Sequence, residues 1–180
     1  WEVLTELKKK WESTIDLQFV ALVPPEFWAT SQGKEFATFV ADANGLLGGV
    51  VLPPFDVQTM KNSLSQMIML AEKVGCGIDL HIDESQIQPS AGIKQLLSVL
   101  DHMTIDIPIT CSHSSSMGLM KPKALQQLAG RLAKHQIKIV ALPLTNSWLL
   151  GRKNGFTTMQ RPLAPIKQLQ HAGVNVAVGG

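Results

Sequence analysis

The sequence has few cysteines, few charged residues and no long apolar run, and each shortage excludes a class of protein. Its two cysteines, Cys76 and Cys111, lie far apart in apolar or small-residue surroundings, without the close pairing of a redox or zinc motif. No apolar stretch approaches the roughly 20 residues that a membrane helix needs. We therefore expect reduced core thiols, a cytoplasmic setting and no membrane partner.

Charge is scarce and evenly distributed. Charged residues make up 17% of the 180 residues, and the net charge is +2. The nearest approach to a basic run, 8–10, lies between Glu6 and Glu12 and is typical of a solvated helix face. We therefore expect no nucleic-acid partner. The hydrophobic fraction of 45% excludes a disordered chain and is enough for one well-buried domain.

Short apolar runs alternate with longer segments of helical spacing along the whole chain. The runs predict strands at 17–23, 47–52, 77–82, 107–112, 138–142 and 174–178. Between them, apolar residues recur at helical intervals, as in Leu64, Met67 and Ile68 before the Gly75 stop. A shorter helix is predicted near 35–43. Strand and helix in regular alternation predict a parallel sheet covered by helices.

Two architectures fit such a sheet, an open doubly wound sheet and a closed barrel. No glycine-rich phosphate loop follows the first strand, which argues against an open dinucleotide-binding fold or an open-sheet transferase. Polar residues instead follow several strands, where TIM-barrel enzymes collect their catalytic groups. A closed barrel needs eight strands and about 250 residues. We therefore predict a partial (β/α)8 barrel of about six strand–helix units.

Candidate catalytic residues stand at the ends of the third and fourth predicted strands. His81 ends the third strand with Asp83 and Glu84 just beyond it, and His113 ends the fourth. An imidazole can ligate a divalent metal, and a carboxylate can transfer protons. Because neighbouring parallel strands lie just under about 5 Å apart, we expect His81, Glu84 and His113 to face one small volume. Asp79 shares a strand face with His81 and could orient a neighbour.

Three motifs on successive strands resemble the amidohydrolase superfamily, and within it the bacterial cytosine deaminases. They read HIDE at 81–84, CSHSSSM at 111–117 and PLTNSWLLGR at 143–152. The run at 174–180 is similar to the strand that precedes the last metal ligand of that family. The likeness is collinear over nearly the whole chain. The three motifs in this order are much more specific than the histidine–acid motif alone.

The resemblance implies a metal-dependent mechanism. One divalent ion, zinc or iron, would be held by a His-x-His pair before Trp1, by His81, and by an aspartate after Gly180. A metal-activated water would attack a ring carbon that bears an exocyclic amine, and ammonia would leave. By the same resemblance Glu84 would carry a proton to the ring nitrogen, and His113 would orient the water or polarise the bond.

The resemblance also implies a small-molecule N-heterocycle as the substrate, bound in part by Asn146 and Trp148. The family's glutamine that reads the pyrimidine carbonyl has no match in the VPPE sequence at 23–26, and Trp148 and Leu150 replace polar residues. We therefore expect hydrolytic deamination of cytosine or of a related aminated pyrimidine or triazine. The alternative is a barrel that binds a small ligand without chemistry.

The chain starts at Trp1, inside a predicted helix. We therefore expect 1–180 to be the central to C-terminal part of one catalytic barrel domain, with its N-terminal strands and C-terminal end missing. Such a piece should be inactive and poorly soluble by itself, because its outer strands have unpaired edges. The full-length protein could form a homo-oligomer.

Overall fold

The computed structural model describes residues 1–156 and 162–180. Within these ranges the chain forms one sheet of parallel strands in sequential order, each paired with the next along the chain. The strands are β1 (Val20–Val23), β2 (Leu46–Val51), β3 (Ile78–Ile82), β4 (Ile109–His113), β5 (Lys138–Ala141) and β6 (Val176–Val178). Six parallel strands in unbroken order confirm the predicted partial barrel.

Helices occupy the connections between the strands. They are α1 (Glu2–Trp11), α2 (Ser31–Asp42), α3 (Val57–Val74), α4 (Ala91–Leu100), α5 (Pro122–Lys134), α6 (Pro143–Leu149) and α7 (Ile166–His171). Two 3-10 helices, Pro25–Ala29 and Ser115–Leu119, follow β1 and β4. No helix in the described ranges is long and apolar enough to cross a membrane.

Local chemistry explains the helix boundaries. The Asp56 carboxylate accepts a hydrogen bond from the Thr59 N–H at the start of α3, as an N-cap residue does. Gly75 ends the same helix in the left-handed conformation, at a φ of 70°, which glycine adopts without steric cost. The predicted stop at Gly75 is therefore correct. The helix predicted near 35–43 begins earlier, at Ser31, where the Thr30 side chain caps it.

The two faces of β3 have different environments. Ile78, Leu80 and Ile82 are buried, whereas Asp79 and His81 between them are half-buried. The buried set belongs to the main core, which also includes Leu64, Ile68, Leu96, Leu97 and Leu128 from the surrounding helices. Because side chains alternate across a strand, Asp79 and His81 point to the face away from this helix layer. The strand thus presents polar groups on the inner face of the sheet.

Candidate active site

The ends of β3 and β4 lie level with each other. In the parallel register His81 is opposite Ser112, and Ile82 is opposite His113. Beyond the last pair, the Ser114 N–H donates to the Ile82 carbonyl at 3.0 Å. The His81 and His113 rings consequently meet edge to face, with centroids 5.0 Å apart. The two histidines therefore share one site, as we expected from the strand spacing.

Glu84 joins the histidines from the turn that follows β3. Its Oε1 atom lies 3.4 Å from Nδ1 of His113. Asn146, from α6, completes the cluster: its Nδ2 atom is 3.0 Å from the same His113 nitrogen and 3.2 Å from Glu84 Oε1. Three successive strand–helix connections thus bring an imidazole and a carboxylate within hydrogen-bond distance of one amide.

Trp148 lies apart from this contact group. It is on α6 two residues after Asn146, and 63% of its surface is exposed. The Arg152 guanidinium lies over its indole ring, 3.5 Å from the ring centroid. A cation at this distance is attracted to the negative face of the ring. Of the predicted site residues, the structure therefore brings four together and leaves the indole at the surface.

Burial changes the protonation of the cluster. Burial and the neighbouring His81 lower the pKa of His113 to about 4, so the His113 imidazole is neutral at neutral pH. Burial raises the pKa of Glu84 above its ordinary value, partly offset by His81 and by the Asn146 hydrogen bond. A carboxylate with a raised pKa next to a neutral imidazole is suited to accepting and returning a proton.

Asp79 lies on the same face of β3 and contacts β4. Its Oδ1 atom accepts a hydrogen bond from the Ser112 hydroxyl at 3.0 Å. Burial raises the pKa of Asp79, and the Ser112 hydrogen bond acts in the opposite direction. The strand face shared with His81 makes Asp79 a possible orienter of a neighbour, and the side chain that it contacts is Ser112.

Sequence reasoning missed the structural role of Asp83. Its fully buried carboxylate accepts hydrogen bonds from the Gly92 and Ile93 N–H groups, at 2.8 and 2.9 Å, and so caps the start of α4. Its main-chain carbonyl accepts from the Ser116 N–H and the Ser115 hydroxyl, which belong to the turn after His113. Burial raises the pKa of Asp83 to about 6. Capping rules identify adjacent residues only, so no local pattern could have indicated this contact.

The site also fits one position of a metal centre. A half-buried imidazole at a strand end, such as His81, is a ligand type that zinc and iron accept. Within residues 1–156 and 162–180, His, Cys, Asp and Glu side chains form no metal-holding group of three or more. By itself, His81 can supply one ligand to such an ion.

Comparison with known proteins gives one similar curated sequence. No protein-family model matches the chain. The chain is 32% identical over 181 residues to pterin deaminase from Rhizobium rhizogenes (strain K84 / ATCC BAA-868), in an alignment that covers 99% of this chain and 40% of that protein. The chain thus spans about two fifths of the length of this curated relative.

Two solved enzymes have a similar fold. One is 5-methylcytosine deaminase from Klebsiella pneumoniae liganded with phosphonocytosine, at 23% identity and a TM-score of 0.78, covering 99% of this chain and 43% of that one. The other is N-isopropylammelide isopropylaminohydrolase from Burkholderia multivorans ATCC 17616, at 19% identity and a TM-score of 0.70, covering 99% and 42%. The resemblance to amidohydrolase-type deaminases that the strand-end motifs predicted is confirmed.

Proposed function

We propose that this chain is the central to C-terminal part of one catalytic barrel domain, in a protein that hydrolytically deaminates an N-heterocycle. The observation that carries the proposal is the contact between Glu84 and His113, beside His81, at the carboxyl ends of adjacent parallel strands. Enzymes of barrel type use this end of the sheet for chemistry. The similarity to a pterin deaminase supports the same reaction class.

We further propose that one divalent ion, zinc or iron, belongs to this site, with His81 among its ligands. When bound, such an ion lowers the pKa of a water molecule toward about 7 and so supplies the nucleophile. The imidazole of His81 lies within 5.0 Å, centroid to centroid, of the His113 ring. The nucleophile would therefore form next to the groups that handle its proton.

Glu84 would transfer protons, and His113 would donate a hydrogen bond. Glu84 would accept one proton from the attacking water and deliver it to the ring nitrogen. It would then carry a second proton from the newly added hydroxyl to the departing amine, so that a ring N=C–NH2 and water become a ring N(H)–C=O and ammonia. Its pKa, raised by burial, brings proton acceptance and release closer to neutral pH. His113 stays neutral because its pKa is lowered, and a neutral imidazole can donate a hydrogen bond from one ring nitrogen.

The substrate would be an aminated pyrimidine, a fused pyrimidine of the pterin kind, or a triazine. Pterin, 5-methylcytosine and N-isopropylammelide, in the names of the similar proteins, are all N-heterocycles with an exocyclic nitrogen. Trp148 and Leu149, on the same helix as Asn146, are 63% and 60% exposed and form an apolar surface suited to a flat ring. We assign Trp148 to substrate binding, whereas the Asn146 amide, to which the family resemblance gives the same role, contacts His113 and Glu84.

A screen for ammonia release tests this function. The full-length protein, loaded in turn with zinc and iron, is given aminopterins, aminopyrimidines and aminotriazines, and ammonia is measured. We expect turnover of at least one class. Absence of release from every class with either metal would instead favour the non-catalytic ligand-binding barrel, which makes no use of the Glu84–His113 pair.

The Glu84→Gln variant tests the proton transfer itself. Glutamine keeps the shape of the side chain but carries no titratable proton, so kcat should fall by about 10²- to 10⁴-fold, equivalent to roughly 3–5 kcal/mol of barrier. Glu35→Gln, on the exposed surface of α2, is the matched control and should keep wild-type turnover. Wild-type kcat in Glu84→Gln would contradict the assignment. The cytoplasmic location and the homo-oligomer stay predictions.

A further inference from the structure

Asn146 is the one member of the polar cluster that contacts both proposed proton-handling groups through a single atom. Its Nδ2 atom lies 3.0 Å from Nδ1 of His113 and 3.2 Å from Oε1 of Glu84. The side chain is almost completely buried, with 1% of its surface exposed. An amide in this position has little freedom to serve other partners.

The backbone around Asn146 holds the amide in place. The Asn146 N–H donates to the Leu142 carbonyl and the Leu150 N–H donates to the Asn146 carbonyl, both at 2.9 Å, so the residue sits inside the hydrogen-bonded turns of α6. The helix itself follows directly on β5 through Leu142. The amide is thereby presented to the site from a fixed backbone rather than from a loop tip.

The two hydrogens on the Asn146 amide nitrogen determine which tautomer of His113 fits this arrangement. An amide NH2 carries two hydrogens and can donate to two acceptors at once. If both are used here, His113 Nδ1 must be an acceptor without a proton, and the neutral ring then carries its proton on Nε2. The opposite amide orientation would place Oδ1 beside a carboxylate oxygen of Glu84, which sets two acceptors against each other.

We propose that Asn146 is a positioning residue that holds His113 in the Nε2–H tautomer and keeps the Glu84 carboxylate beside it. Its meaning for catalysis rests on the proposed function. The Nε2–H then becomes the donor available to a water or to the leaving amine, while Glu84 remains the acceptor. In a serine-protease triad, loss of the correct histidine tautomer lowers kcat by about 10⁴-fold.

The two polar atoms of the Asn146 amide differ in their contacts. Oδ1 is buried and has no hydrogen-bond partner within the described residues. The contacts that the amide does make run to catalytic groups, so its loss should act on turnover. A substrate contact would act first on KM.

The tautomer is measured directly by NMR. In full-length protein with ¹⁵N-labelled histidine, as isolated and after zinc loading, two-bond ¹H–¹⁵N correlations distinguish protonated from unprotonated ring nitrogens, and His113→Gln assigns the signals. We expect His113 to carry its proton on Nε2. Asn146→Asp puts an acceptor of the same shape beside Nδ1 and should move the proton to Nδ1. Ser147→Ala, on the same helix, is the control and should leave the pattern unchanged.

Kinetics supply the second measurement. Asn146→Asp and Asn146→Leu should lower kcat by about 10²- to 10⁴-fold and leave KM within about threefold of wild type. A proton on Nδ1 in the wild-type protein would overturn the inference even if no variant folds. Unchanged kcat with a raised KM in these variants would also overturn the inference, but it would not contradict the proposed deaminase function. If no substrate is turned over but the Nε2–H tautomer is found and reverses in Asn146→Asp, the proposed function fails and the positioning contact stands.

Discussion

The serine turn after β4 offers two identical substitutions with opposite expected effects on stability. The Ser116 hydroxyl oxygen accepts a hydrogen bond from the Ser90 N–H at 3.0 Å, and both residues are completely buried. The Ser114 hydroxyl is also buried but has no partner within the described residues. Ser116→Ala therefore leaves the buried Ser90 N–H without a hydrogen-bond partner. Ser114→Ala instead removes a hydroxyl that has no partner within the described residues.

The magnitudes follow from these contacts. A buried donor left without a partner costs about 1–3 kcal/mol, so Ser116→Ala should lower the free energy of unfolding by that amount. Removing the unpartnered Ser114 hydroxyl eliminates a burial cost of similar size, and offsetting losses of packing should leave stability unchanged or raised by up to about 1 kcal/mol. Ser115→Ala should fall between them, because the Asp83 carbonyl that its hydroxyl contacts also accepts from the Ser116 N–H.

Urea denaturation of the full-length protein measures the difference. The midpoints should rank Ser114→Ala highest and Ser116→Ala lowest, with similar m values so that the shift reports stability. Equal losses in Ser114→Ala and Ser116→Ala would refute the reasoning, because the hydrogen-bond partner would then have no influence. An unchanged midpoint for Ser116→Ala would refute it equally.

Three further predictions concern separate parts of the chain. Trp148→Ala should raise KM about two- to tenfold with little change in kcat, because an aromatic contact with the substrate contributes about 0.5–1.5 kcal/mol. A changed kcat with constant KM would argue against a substrate contact. Hydrogen bonds from His135 and Arg131 lower the pKa of Asp101. The stability that they provide is therefore present above the unfolded pKa of about 4 and is lost as pH falls through the lower folded pKa. Thermal melts of Asp101→Asn should differ from those of the wild type at pH 7 and converge with them in acid. Gly33→Ala should destabilise by about 1–3 kcal/mol, because its new Cβ would clash with the Phe27 carbonyl oxygen. Gly130→Ala, where nothing lies within 4 Å of the new Cβ, should instead stabilise by about 0.5–1 kcal/mol; equal denaturation midpoints for the two glycine variants would contradict the steric argument.

Strand ends show where periodicity is informative and where it fails. The run at 17–23 predicts a strand, but β1 begins at Val20, which is where pairing with Leu46 begins. Similarly, β6 begins at Val176 rather than at 174. An apolar run marks buried sequence, whereas a strand boundary depends on the presence of a paired neighbour.

The short helix α6 was not predicted, since the stretch around Asn146 reads as a loop. It spans only Pro143–Leu149 and lacks a side-chain cap at its start. Proline at its first position suits a helix, but seven residues are too few for a clear helical period. The opening helix was predicted correctly, although its apolar residues Val3, Leu7 and Trp11 are exposed within the described structure.

The sequence by itself determined the parallel sheet and the placement of His81, Glu84 and His113 at strand ends, because the alternation of apolar runs with helical segments is a local property. Tertiary structure alone decided that Asn146 reaches Glu84 across 62 residues, and that Asp83 caps a helix nine and ten residues away. Both contacts join residues that do not belong to the same helix or strand. Such contacts are established only when strand register and helix packing bring the turns together.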